Sequence, residues 1–517
     1  MLVASTADAL GPALLELCQY RRELSDGGVA LAGAPDDAQP LVLRVCCGAQ
    51  VAGVGELLDE LPDPLLGHAD PLRQLRHGDS LRWHMTDDAV VRGPQLRAGL
   101  HQEVLAALGH ELAEREQHVT VTRDHKATLQ PIRSSSSFLV VGTRDELGAA
   151  DVSDRELATM VASHLGQDSV ELLESRVDAV DYDLPAITTG GRWWVSGHAE
   201  AECGRVPFRF FVKQVQSWDR HPFFAFVPEE FRELAVAGVP WKTEAEVYRS
   251  DFAHRLPQGL SAPRALGVFD VDASSSAIWM EEVPSRLANW NCQRYERAAH
   301  LLGRLAASRE LAPLAELRDV EWSITTYANG RLAIQVVPLL TGEEVWQHPL
   351  CAAFDDELRG RLRVAAARAG ELAAEADALP TLLSHGDACP NNLLPGEHAD
   401  EFVMIDFGFW GRAPVGFDLS QLLVGEVQVG RRGAHGLAGL DEAIVAAYVE
   451  GLRAEGCVVP EEQVRRAHAL CLLLMTGLST VPFDLFDAPV IPEIQRTAAD
   501  RAAVARYALD LVDATAL

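Results

Sequence analysis

No stretch of the 517-residue chain approaches the roughly 18 uninterrupted apolar residues of a membrane-spanning helix, and the opening MLVASTADALGPALLEL lacks a basic secretory region. These absences predict a cytoplasmic protein with no membrane partner. The nine cysteines, at 18, 46, 47, 203, 292, 351, 389, 457 and 471, include no C-x-x-C pair, which argues against structural zinc and a disulfide framework. Basic charge is also short. Against 75 Asp and Glu stand 45 Lys and Arg, a net charge of −30 that opposes a broad nucleic-acid surface and would steer a cationic acceptor toward a cleft. There is no G-x-G-x-x-G fingerprint, and the run Arg133-Ser134-Ser135-Ser136-Ser137 is followed by no helix bearing the lysine of a phosphate loop, so it reads as loop. What remains is a folded chain: 48% apolar residues and a mean hydropathy of +0.01, long enough for about two or three domains.

The chemistry lies in two segments. SHGDACPNNLL, residues 384–394, contains H-G-D-x-x-x-x-N, and FVMIDFG, residues 402–408, ends an apolar, partly β-branched run on an acid. Asp387 and Asn392 are five residues apart, so one irregular loop can aim a carboxylate at an attacking hydroxyl and an amide at a magnesium ion. Asp406 arrives nineteen residues after Asp387 from a separate strand, where it can bridge the same metal to nucleotide phosphates. Alone, His-Gly-Asp would be a turn. The second motif at this separation makes it a phosphoryl-transfer site. Cys389, four residues after His385, has no orienting group and does not read as a nucleophile.

On these residues the chain resembles the aminoglycoside phosphotransferase superfamily, small-molecule kinases with the protein-kinase-like fold. The resemblance implies an α+β, bilobal protein-kinase-like fold, with a small five-stranded antiparallel-sheet lobe carrying one helix, a hinge, and a helical C-terminal lobe. Protein kinases usually place Arg between the His and the Asp, where this chain has Gly386, so protein acceptors are disfavoured. The domains expected are 176–284 for the sheet lobe, 285–517 for the helical lobe, and an additional N-terminal α/β or α+β domain over 1–175, read as a cap over the acceptor site. Within it, helices are expected over 95–117 and 154–165 and strands over 119–122 and 138–142.

A kinase must also present a strand lysine to the α- and β-phosphates and a helix glutamate to orient it. Lys213, within the aromatic and β-branched run 207–215, supplies the first; Glu244 or Glu246, two apart on one helix and so unable both to face the lysine, supplies the second. Related kinases carry a Glu four residues before an aromatic here, which favours Glu244. Gly190 and Gly191 read as the turn of a hairpin over the nucleotide, or simply as a turn. Through main-chain groups, Glu281, Glu282 and Val283 are the hinge residues that the resemblance assigns to adenine. Asp418 opens a helix and holds the active-site loops. Long helices are expected over 295–309, 356–378 and 467–478.

The expected activity is ATP- and Mg2+-dependent phosphorylation of a hydroxyl on a small molecule: a sugar, an amino sugar or an aminoglycoside-like antibiotic. Lys213 and Glu244 would position the phosphates, Asn392 and Asp406 hold Mg2+, and Asp387 take the acceptor proton. Alternatives are a kinase-fold binding or regulatory protein, against which the intact residue set argues, and the same fold transferring AMP. Asp484, Asp487 and Glu493 are acidic positions able to bind an amine, although loop surface is their ordinary reading.

Overall fold

The computed structural model describes residues 144–180, 186–284 and 290–516. The expectations for residues 95–117, 119–122, 133–137 and 138–142, and the cap reading that rests on them, lie outside the described residues.

Helix α1 (Asp154–Leu165) starts where the sequence carries a capping box: Ser153 Oγ accepts the Glu156 N–H at 3.2 Å and Glu156 accepts the Ser153 N–H at 2.9 Å. Its apolar stripe, Leu157, Met160 and Val161, packs with Val195, Phe210, Val212 and Trp279. Those four belong to a sheet of β1 (Glu171–Ala179), β2 (Thr189–Ala201), β3 (Gly204–Gln216), β4 (Ala265–Asp272) and β5 (Ser275–Glu281), antiparallel throughout in the order β1-β2-β3-β5-β4. Alternation divides β3 between two layers. Phe208, Phe210 and Val212 turn to α1, while Phe211 and Val215 cluster with Ile278, Met280 and Ala245 of the short helix α2 (Thr243–Arg249).

The sheet therefore carries a helix on each face, where one helix was expected. The 175/176 division also falls inside β1, and α1 packs on the sheet, so residues 154–175 are built into this lobe.

The second lobe begins with α3 (Cys292–Ala307). The single helix expected over 356–378 is two, α4 (Asp356–Ala367) and α5 (Ala369–Asp377), broken at Arg368, which leaves helical geometry at φ −103°, ψ 7°. Then come four short strands, β6 (Thr381–Ser384), β7 (Leu393–Pro395), β8 (Phe402–Met404) and β9 (Gly411–Pro414), with β6 antiparallel to β9 and β7 to β8. These short pairings hold the two motif segments. Helices α6 (Phe417–Gln428), α7 (Leu437–Ala454), α8 (Glu461–Cys471) and α9 (Pro492–Ala514) complete the lobe. The stretch Glu461–Leu485 is long and apolar enough to span a membrane by composition, but 72% of its most apolar window is buried within the lobe core.

Candidate active site

The H-G-D loop leaves β6 and is held from below by one carboxylate. Asp418, second residue of α6, accepts hydrogen bonds from Ser384 Oγ at 2.8 Å, the His385 N–H at 2.9 Å and the Gly386 N–H at 2.9 Å. The helix itself is capped by Gly416, which has no side chain to offer, so Asp418 serves the loop rather than the helix end. Gly386 adopts φ 89°, and a Cβ there would lie 2.2 Å from the Phe409 carbonyl oxygen. Glycine at 386 thus answers a local backbone demand, and it says less about the acceptor than the comparison with protein kinases suggested.

Buried His385 sits between two partners of fixed character. Its Nε2 lies 3.0 Å from the Ile405 carbonyl, which only accepts, and its Nδ1 lies 3.3 Å from the Asp387 N–H, which only donates. The ring is therefore the neutral tautomer with hydrogen on Nε2, in keeping with burial, which holds its pKa below the ordinary value. His385 orients the loop and is not itself presented to the cleft.

Asp387 follows in the loop. Asn392 Nδ2 donates to the Asp387 carbonyl at 2.9 Å and to its Oδ2 at 3.0 Å, which commits the amide nitrogen and leaves the amide oxygen as the atom that could hold a metal. Burial pushes the Asp387 carboxyl up to about 7; the Asp406 charge adds to the rise and the Asn392 hydrogen bond opposes it.

Across the cleft, Lys213 is 6% exposed at the centre of β3 and Glu244 on α2 is 3% exposed. Lys213 Nζ lies 2.6 Å from Glu244 Oε2 and 3.0 Å from Asp406 Oδ1. Glu246 points elsewhere, pairing with Arg249 at 2.9 Å and Lys242 at 3.4 Å. Burial opposes the lysine charge, but the Asp406 and Glu244 carboxylates outweigh it and hold its pKa above the usual value. Asp406 is likewise penalised by burial and brought below the ordinary carboxylate range by Lys213, with Arg192 assisting. Its side chain stays 42% exposed. Among the described residues Asp406 alone, apart from glycines, has a positive φ, 65°, a strained setting of the kind found at functional sites. Phe407, fully buried next to it, touches Tyr248 and Phe252 at ring distances of 5.6 and 4.9 Å and His385 at 5.2 Å. One ring thus joins the Glu244 helix, the strand end at Asp406 and the H-G-D loop.

One expected nucleotide element sits differently from its sequence reading. Gly190 and Gly191 form no turn; they are the first residues inside β2, and the β2–β3 turn lies at Glu202-Cys203. A Cβ at Gly191 would fall 2.0 Å from the Trp193 ring, so packing explains at least that glycine. Of the hinge residues, the Glu281 N–H donates to the Arg264 carbonyl at 3.1 Å and Glu282 pairs with Arg209, whose guanidinium stacks 3.9 Å over the Trp194 ring. Val283 is half-buried. Among the acidic positions named for amines, Asp484 takes a bidentate grip from Arg501 at 2.5 and 2.9 Å, and Glu493 accepts from Arg496 at 3.0 Å. Burial pushes the Cys389 thiol far above its usual range, away from nucleophilic chemistry.

Some working residues carry no motif. Arg318 donates to the carbonyls of Phe409, Trp410 and Arg412 at 2.8, 3.0 and 3.0 Å, bracing the segment after Asp406; burial brings its pKa down to about 10, still charged at neutral pH. Its neighbour Asp319 accepts from Thr243 Oγ1 at 2.6 Å and the Lys242 N–H at 3.2 Å, holding the start of α2. A stronger sequence signal went unused: the chain has only three lysines, Lys126, Lys213 and Lys242, so one placed in the middle of an aromatic strand stands out.

Residues 242–470 match the family model described as the phosphotransferase enzyme family, a span that includes Glu244, Asp387, Asn392 and Asp406 and begins after Lys213. No curated protein matches the chain. Solved structures to which it is similar include amicoumacin kinase hAmiN in complex with AMP-PNP, Ca2+ and Ami, at 14% identity over 72% of this chain and 96% of that one, TM-score 0.39. Another is aminoglycoside phosphotransferase APH(3'')-Id from Streptomyces rimosus, at 17% identity over 62% and 96%, TM-score 0.32. A third is an ethanolamine kinase of Plasmodium vivax, at 12% identity over 72% and 92%, TM-score 0.37. The resemblance read from the H-G-D and D-F-G segments is thus met, over residues 242–470, by the model of the phosphotransferase enzyme family, which spans both segments.

Proposed function

We propose that the protein transfers the γ-phosphoryl group of ATP, with Mg2+, to a hydroxyl of a small molecule such as a sugar, an amino sugar or an aminoglycoside-like antibiotic. The observation that carries this reading is the convergence on one cleft of Lys213, Glu244 and Asp406, from three distant segments, beside the Asp387–Asn392 pair.

The donor set suits a hard divalent cation: an amide oxygen from Asn392 and a carboxylate from Asp406. Among the described residues no three His, Cys, Asp or Glu side chains form a ligand group, so nucleotide phosphates and water would complete the coordination. When bound, the cation neutralises charge on the phosphate oxygens. Lys213, oriented by Glu244, binds the α- and β-phosphates. Hinge contacts to the base would come from the main chain of Glu281, Glu282 and Val283; the Glu281 N–H is already donated to the Arg264 carbonyl, so the donor falls to Glu282 or Val283.

In the chemical step the acceptor oxygen forms a bond to the γ-phosphorus while the bond from that phosphorus to the β,γ-bridging oxygen breaks. The electron pair leaves with ADP, and the acceptor proton passes to Asp387. A carboxyl raised to about 7 by burial is suited to accept a proton near neutral pH. Asn392 keeps that carboxylate aimed through its amide nitrogen, and its amide oxygen would help hold the metal.

The test is a panel of sugars, aminoglycosides and nucleosides assayed for Mg2+-dependent ATP consumption, with products weighed by mass spectrometry for one added phosphate. Asp387→Asn should lower turnover by about 10²- to 10⁴-fold while ATP still stabilises the protein thermally. Near wild-type turnover in that variant would remove Asp387 from the role of base, and an added AMP in the product would replace phosphoryl by nucleotidyl transfer.

A further inference from the structure

Strands β2 and β3 present matched pairs to the cleft. In the ladder Arg192 stands opposite Lys213, and Trp194 stands opposite Phe211. Directly opposed residues of an antiparallel pair leave the sheet on one face, with Cβ atoms about 4.5–5.5 Å apart. The contacts show which face: the Trp194 and Phe211 rings meet edge-on at 5.0 Å, and Phe211 joins the cluster containing Ala245 of α2. The intervening residues Trp193 and Val195 turn the other way, toward α1. A guanidinium and an ammonium are therefore set side by side on the wall above Asp406.

Like charges directly opposed in a sheet are destabilising, so such a pair needs negative charge in front of it. Glu244 and Asp406 supply it. Arg192 acts on both carboxyls, behind burial and Lys213, in the direction that keeps them ionised. Two cations facing two carboxylates are merely balanced, and a polyphosphate with one divalent cation still brings excess negative charge to a chain that is already at −30. Arg192 also stands near the start of β2, next to the β1–β2 connection, on the side of the cleft away from the hinge.

We propose that Arg192 is a phosphate-binding residue of the nucleotide site, gripping the polyphosphate from β2 as Lys213 does from β3. The inference rests on the phosphotransferase reading and extends it to a residue outside every motif. Arg192 Nη2 lies 3.4 Å from Thr189 Oγ1, and a guanidinium can turn two parallel N–H donors to adjacent phosphate oxygens, a geometry an ammonium lacks.

The experiment is calorimetric titration of the full chain, wild type, R192Q and R192K, with Mg·ADP and separately with adenosine. R192Q should weaken Mg·ADP by about tenfold and leave adenosine affinity unchanged, with R192K between R192Q and wild type. Equal Mg·ADP affinity in wild type and R192Q would overturn the proposal. So would a parallel loss for ADP and adenosine, because a residue that only shapes the cleft would weaken both. R192K, which keeps the positive charge, guards against a folding defect in R192Q: adenosine binding lost in both variants would also count against a phosphate contact. A wild type that binds neither ligand would overturn the nucleotide reading itself and this inference with it.

Discussion

Two buried charge clusters occupy this molecule, and they are built from similar parts. One is Lys213–Glu244–Asp406 in the cleft. The other joins four helices of the second lobe: His468 Nε2 lies 2.8 Å from Asp441 Oδ1, Tyr507 donates to Asp441 Oδ2 at 2.7 Å, and Ser420 Oγ lies 3.4 Å from His468 Nδ1. By residue type the second set is the more suggestive, a serine, a histidine and an aspartate in contact. By environment it is sealed, with Ser420, Asp441 and His468 all at 2% exposure or less. Its members satisfy one another and stitch α6, α7, α8 and α9 together. The cleft cluster leaves one member, Asp406, open to solvent and in strained backbone geometry. Contact among reactive groups is common to both; an open side and stored strain mark the one that meets a substrate.

That contrast can be broken by experiment, beginning with its largest expected effect. Lys213→Met strips the partner from buried Glu244 and should cost about 3–5 kcal/mol in urea unfolding, besides abolishing phosphoryl transfer. A variant of unchanged stability and turnover would show that the cleft cluster holds neither fold nor phosphate. His468→Leu should cost about 1–3 kcal/mol by leaving Asp441 short of a partner, yet kcat and KM of the folded protein should stay at wild-type values. A change in either constant would mean that the sealed cluster communicates with the cleft.

The smallest effect concerns acid. Burial pushes the Asp441 carboxyl up, but the His468 and Tyr507 contacts prevail and hold it below its ordinary value of 3.8. A carboxyl depressed in the folded state stabilises the fold above its unfolded pKa, and that stability is lost as pH falls through the depressed folded value. The stability gap between wild type and Asp441→Asn should therefore narrow as pH drops from about 5 toward about 3. A gap independent of pH would assign the network's contribution to packing alone.

Much of the cleft was legible in the sequence because its residues sit in strong local patterns. Lys213 interrupts an alternating aromatic strand, Glu244 lies four residues before Tyr248, whose ring packs on Phe407, and Asp387, Asn392 and Asp406 keep kinase-like spacing. Gly190-Gly191 misled, since two glycines between strand-like residues suggest a turn, whereas they lie within β2 at an irregularity of its register with β3, and the β2–β3 turn comes at Glu202-Cys203. The helix over 154–165 was legible as a helix, but its place against the sheet was not, because packing partners up to 122 positions away leave no local trace. Arg318 and Asp319 were invisible for a related reason. Arg318 acts on main-chain carbonyls more than ninety residues distant, and a carbonyl oxygen imposes no residue type on the sequence; Asp319 meets the Lys242 N–H and the Thr243 hydroxyl more than seventy residues back, with no local pattern to announce it.

The scarcity of lysine has a practical side. An amine-selective reagent applied to this protein can reach at most three side-chain amines: Lys126, the half-exposed Lys242, and Lys213 behind its two carboxylates. An acylating probe carried into the cleft by a nucleotide would therefore write its signal on one residue against an almost blank background. The buried ammonium would then serve as a reporter of whether the cleft is filled, readable from the mass of the intact chain.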